Sequence, residues 1–171
     1  MGTAAQLGKG GIGTNGRGAI SVHATGGAPP MVATVGTDTT PVVTETYIAR
    51  VFIPINTVLT GVSILNGSAV AGNVTAILYD HNGAPVAQSA STAQSGTAAL
   101  QAIPFSATYA AQGPGLYFIG LQFNNTGARF RTHALGAFTA FKKTGETYGT
   151  ATVITSPNSF TADQGPIAST Y

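Results

Sequence analysis

The chain has no cysteine and no tryptophan, and only 7% of its 171 residues are charged. The missing cysteine excludes disulfide staples, thiolate metal sites and cysteine nucleophiles. No apolar run reaches the roughly 20 residues that span a bilayer. No basic stretch followed by an apolar core stands at the N-terminus, so neither a membrane nor a secretory route is expected; release from the producing cell would come by lysis or on a particle. The net charge is +2, with seven Lys and Arg in all. That is too thin a supply for a phosphate-binding patch, and no nucleic-acid partner is expected. The five acids, Asp38, Glu45, Asp80, Glu146 and Asp163, are scattered, with no spacing that fixes an acid/base couple. His23, His81 and His133 lack metal-ligand spacing. No Gly-x-Ser-x-Gly elbow occurs. Lys9 stands in Gly8-Lys9-Gly10 without the spacing of a phosphate loop, and Asp80-His81-Asn82-Gly83 reads as a hairpin turn rather than a calcium loop. An enzyme is not expected, nor a cofactor or a metal.

Apolar residues make up 43% of the chain. With so little charge, the exterior has to be built from Thr, Ser, Asn, Gln, Gly and Ala, and a chain this apolar packs rather than staying disordered. A body of roughly 130 residues can bury about two thirds of its unfolded surface. The organising stretch is Gly113 to Phe123, GPGLYFIGLQF. After the Gly-Pro-Gly stop, Tyr117, Ile119, Leu121 and Phe123 share one face of a strand while Leu116 and Phe118 take the other, so the strand belongs inside a sheet. Asn124 to Gly127 supplies turn chemistry, which predicts a hairpin returning along Ala128 to His133. Further strands are expected at Glu45 to Ile53, Val58 to Leu65, Asn73 to Tyr79, Val86 to Ser89, Leu100 to Phe105, Thr150 to Thr155 and Ile167 to Tyr171. Long loops are expected at Ser89 to Ala98 and Gly136 to Gly149. Eight or so short strands with no helical segment predict an all-β fold, a jelly-roll-like β-sandwich over residues 42–171.

Residues 1–41 differ in composition. Glycine recurs at 8, 10, 11, 13, 16 and 18, Gly26 to Pro30 reads GGAPP, and Thr37 to Thr40 reads as a polar linker. Two readings stand side by side: a flexible leader, or an extended glycine-rich arm that orders against a partner at the entropic cost that glycine carries. In the second reading Lys9, Arg17, Ile20 and Val22 are the candidate arm contacts.

One surface constellation stands out in the body. Arg129, Arg131 and His133 fall on one strand face at a pitch of about 7 Å. Lys142 and Lys143, with Phe141 and Tyr148, stand in the long loop that follows. A solvated or aggregation-resistant face accounts for the basic row; so does a set of charge-assisted bonds to carboxylates or sugar acids on a partner. Phe138, Phe141, Tyr148 and Tyr109 are the aromatic residues a glycan-binding reading would use.

From Glu45 onward the chain resembles bacteriophage and prophage virion proteins with a β-sandwich domain, some of them capsid decoration or cement proteins. The likeness is carried by ETYIARVFIP at 45–54, GVSILNGSAV at 61–70, ILYDHNGAPVAQS at 77–89, GPGLYFIGLQF at 113–123 and FTADQGPIAS at 160–169. It implies a non-enzymatic role on the virion, with the major capsid protein as partner and a homo-oligomer, a trimer by preference, as the working form. A glycan- or receptor-binding domain of a tail or head fibre is the alternative. No active-site residue comes with the resemblance.

Overall fold

The computed structural model describes residues 36–132, 140–154 and 164–171. They form eleven strands and no helix: β1 (Thr37–Thr39), β2 (Glu45–Ile53), β3 (Val58–Leu65), β4 (Asn73–Tyr79), β5 (Pro85–Gln88), β6 (Thr92–Ala93), β7 (Leu100–Ala110), β8 (Gly115–Phe123), β9 (Phe130–Thr132), β10 (Ala140–Thr144) and β11 (Ala168–Thr170). All pairings are antiparallel.

The larger sheet runs β10-β2-β8-β4-β5, with β6 continuing beside β4; the smaller runs β11-β3-β7. The chain changes sheet at β2–β3, β3–β4, β6–β7 and β7–β8, while β4, β5 and β6 stay together in the larger sheet; these crossings close one core between two faces. That core joins Val51, Ile53, Leu78, Ile119, Leu121 and Phe123 of the larger sheet to Val62, Ile64, Ile103 and Phe105 of the smaller. Period-two alternation places them there: Tyr117, Ile119, Leu121 and Phe123 all point inward, as the pattern of β8 requires. Each large aliphatic or aromatic chain buried this way contributes about 1.5–3 kcal/mol.

The sandwich is closed along both sides. A bridge from Ser89 to Phe105 ties the β5 side to β7. On the other side β1 and β9 make a two-stranded ribbon, stitched to the body by the bridges Asn66–Phe130 and Thr132–Pro166. Phe130 anchors the ribbon in the core, stacked on Phe123 and edge-on to Tyr47, with 4.8 Å between centroids in each case.

Several local expectations are corrected. β8 and β9 do not form a hairpin, because both edges of β8 are occupied by β2 and β4. The turn instead lifts the chain away: Asn124 Oδ1 accepts the Asn73 amide, Asn125 Oδ1 accepts the Gly127 amide, and the Arg129 amide donates to Ala69 O. Thr37–Thr39 is a strand on β9 rather than linker. The loop expected from Gly136 contains β10, which pairs with the full start of β2. Of the strand expected from Thr150 to Thr155, residues 150–154 join no sheet, because Gln122 and Lys143 side chains take up Thr150 O and Val153 O and the Ile154 amide bonds to Gly83 O; residue 155 lies outside the described residues. The loop after Ser89 holds the short β6, and β7 runs on to Ala110.

Candidate functional site

The first candidate site lies where the N-terminal segment meets the body. Asp38, in the middle of β1, accepts two hydrogen bonds from Ser68, one from its amide at 2.9 Å and one from its hydroxyl. Arg131 lies across from it in the β1–β9 register, its Nε 3.8 Å from Asp38 Oδ1, an ion pair too long for a hydrogen bond. The Arg131 guanidinium also reaches Gly36 O at 3.5 Å. Thr39 and Thr132 join their hydroxyls at 2.6 Å. Burial alone would push the Asp38 carboxyl up, yet the Ser68 bonds, with Arg131 and Arg129 nearby, outweigh it and hold the group below its ordinary value. Gly67 makes the approach possible: a Cβ there would collide with Asp38 Oδ1 and with Arg129. Residues 1–35 therefore join the body through a fastened strand at a defined place.

The second candidate is the β10 edge. Lys142 Nζ donates to Glu45 Oε1 at 2.7 Å, and the Tyr47 hydroxyl donates to Glu45 Oε2 at 2.5 Å. One residue along, on the opposite face, Lys143 pairs with Glu146 at 2.8 Å, and Glu146 also accepts the Thr152 hydroxyl at 2.5 Å. Both glutamates are buried and fully engaged. Beyond β10 the chain forms a strap over the outer face of the larger sheet: Gly149 N donates to Gln122 Oε1, Gln122 Nε2 donates to Thr150 O and Thr46 Oγ1, Gln88 Nε2 donates to Gly149 O, and Ile154 N donates to Gly83 O. Gly120 on β8 leaves the room that the Tyr79 ring fills beneath this layer. Burial, with Glu146 nearby, pushes the Tyr79 hydroxyl well above its ordinary range.

These two places receive the residues singled out in the sequence, and they do not merge into one patch. Arg131 is on the ribbon and is shared with Asp38; Arg129 turns its guanidinium onto Thr126 O and Ala128 O. Lys142 and Lys143 sit on the larger sheet, each on a glutamate. Phe141 is buried, edge-on to Phe118, and is part of the fold's outer layer rather than of its surface. Tyr148 is half-buried, its hydroxyl on Ser91 at 2.8 Å. His133, Phe138, Lys9, Arg17, Ile20 and Val22 lie outside the described residues.

A third feature went unread in the sequence. At one end of the sandwich His81, Gln112, Gly113, Pro114, Gly115 and Tyr117 line an open groove of about 400 Å³. Tyr109 packs edge-on against Tyr117 at 6.2 Å; burial, then its bond to Tyr117, pushes its hydroxyl up to about 12. The only signal was the Gly-Pro-Gly stop, which marks a turn but not what that turn faces. Also unread was a buried amide cluster. Asn66 Nδ2 donates to Gln101 Oε1 and Ser95 O, and Gln94 Nε2 donates to Asn66 Oδ1 and Arg129 O. It pins the 89–99 loop to the ribbon.

The chain matches no protein-family model, no curated protein and no solved structure. Its role has to be argued from its own geometry.

Proposed function

We propose that the chain is a non-enzymatic structural protein of a phage virion, decorating and stabilising the capsid, with the major capsid protein as its partner and a homo-oligomer as its working form. The observation that carries this reading is the clasp at Asp38. The glycine-rich sequence that precedes Gly36 is rooted at one fixed, ion-paired strand, and a segment tied to a docked body adds its contacts at high effective concentration. Two further features fit the role. The buried carboxylates Glu45 and Glu146 are engaged by lysines and hydroxyls as cross-braces. The resemblance of the body to virion β-sandwich proteins points the same way. A protein that binds the assembled shell and not the separate subunits stabilises the shell by that binding free energy.

The test is co-sedimentation with capsids lacking the protein. The shortened form should begin at Gly36, since a cut at Pro41 removes β1 and opens the ribbon. Saturable binding by the full chain, weakened in a folded form starting at Gly36, is the expected result. Equal binding by both forms removes the arm from the mechanism, and no binding by either removes the capsid role.

The groove at His81 and Tyr117 favours one second reading, recognition of a glycan, because it sets an aromatic wall beside an imidazole and an amide. A glycan array then gives specific binding that Gln112→Ala and His81→Ala abolish; a blank array at high protein concentration ends this reading.

A further inference from the structure

The strap crosses the outer face of the larger sheet on a diagonal. It enters where the Glu146 amide meets Thr44 O, bonds to Gln122 and Gln88 on the way, and leaves where the Ile154 amide meets Gly83 O. The corner to one side of that path is the end of β2 and the start of β8. There Phe52 stands across from Leu116, the two exposed at 46% and 45%, and Arg50 stands across from Phe118. All four side chains are on the outer face, since Val51, Ile53, Tyr117 and Ile119 alternate with them into the core. Opposed side chains lie about 5 Å apart and alternate ones along a strand about 7 Å, so the four form one patch.

Among the described lysines and arginines, Arg50 alone has no hydrogen bond or ion pair. Lys142 and Lys143 hold Glu45 and Glu146, Arg131 holds Asp38, and Arg129 is turned onto two carbonyls. The remaining described acid, Asp80, caps its own turn by accepting the Asn82 and Ala84 amides. None of the described acids is left to match Arg50.

We propose that this corner docks an extended segment of a partner protein, which offers one carboxylate to Arg50 and, two residues along, one large apolar side chain to Phe52 and Leu116. Charge complementarity fixes the chemistry of the occupant. A wholly apolar partner would cover the guanidinium and leave it unpaired, which is costly. A second copy seated about a two-fold axis would bring Arg50 towards its own like charge. Nucleic acid and anionic lipid are held by several cations acting together, and this corner carries one. A single guanidinium instead matches a single carboxylate through two parallel hydrogen bonds. The spacing agrees: Arg50 and Phe52 are about 7 Å apart, the repeat of alternate side chains on an extended partner. The inference is independent of the capsid reading, because its test uses peptides and no capsid.

A random heptapeptide library is selected on the full chain, and the enriched peptides are resynthesised and titrated. They are expected to share an acidic residue with a large apolar residue two positions away. Arg50→Gln and Phe52→Ser, each with a wild-type melting curve, should weaken them by more than about tenfold, and Leu100→Ser on the smaller sheet should leave them unchanged. Replacing the peptide carboxylate by an amide should give the same loss with no change in the protein, so it decides with Phe52→Ser if Arg50→Gln fails to fold. A library without enrichment, enriched peptides that lack the acid, or affinities that survive these changes overturn the proposal. Self-association, or binding to anionic phospholipid vesicles, that Arg50→Gln abolishes also overturns it, since either gives the corner to a different occupant.

Discussion

Asp38 is the residue at which charge and architecture meet. Its carboxyl titrates lower in the folded chain than in the unfolded one, so on acidification the unfolded state takes the proton first. The stabilisation is therefore complete above the unfolded value near 3.8 and disappears as the pH falls through the folded value. Urea midpoints followed from about pH 5 down to about pH 2 should show an acid slope that Asp38→Asn flattens; an unchanged slope would assign it to other carboxylates. Much of Asp38 is solvated, so its loss at neutral pH should cost no more than about 1 kcal/mol. A different residue-scale test lies at Gly120. A Cβ there stands 2.7 Å from the Tyr79 ring and 3.0 Å from Thr46 Cγ2, both held under the strap. Gly120→Ala should lower stability by about 1–3 kcal/mol, read in a denaturant titration.

Among the elements, β10 and the 89–99 loop show what a sequence conceals. β8 was legible because its apolar period is complete from Tyr117 to Phe123. β10, AFKKT, reads as loop because two adjacent lysines break any alternation, and it becomes strand through its ladder with β2 and through Glu45 and Glu146, which are distant from it or beyond it in the chain. Lys142→Met leaves Glu45 buried with its tyrosine alone; the expected loss is about 2 kcal/mol, together with faster amide exchange along β10. The ribbon was misread for a related reason: local turn chemistry predicts that a chain reverses, and only the occupied flanks of β8 decide that it cannot reverse onto that strand. The amide cluster was equally opaque, since Asn66, Gln94 and Gln101 are ordinary polar residues until they face one another. Gln101→Leu removes the acceptor for Asn66 Nδ2 and for the Ser95 amide. It should cost about 2–3 kcal/mol and leave residues 89–99 open to proteolysis while the core stays protected.

At the scale of the whole molecule, acids and bases are few, and among the described residues Asp38, Glu45 and Glu146 are each paired with a base, so pH acts at the extremes. Tyr47, Tyr79 and Tyr109 are each held protonated in the fold, foremost by burial. The unfolded chain releases those protons first as the pH rises through about 10, so stability should fall steeply from there upward and level off only above the folded values. Absorbance at the phenolate band should rise together with unfolding; early ionisation without unfolding would place these hydroxyls in solvent. The fold class was readable because its signal is repeated in every strand. The candidate sites were not, because each joins residues 30 or more positions apart: Asp38 with Ser68, Glu45 with Lys142, His81 with Tyr117.

The ribbon also determines how the protein carries load. A pull on the N-terminal segment enters the body at Gly36 and meets β1, three residues long and held by β9, Ser68 and Arg131. The sandwich lies behind it, with strands of seven to eleven residues in β2, β3, β4, β7 and β8. Tension would peel the short strand while the core stayed intact, and the clasp could close again once the tension was released. In mechanical terms β1 is a resettable fuse between the chain that precedes it and a rigid block.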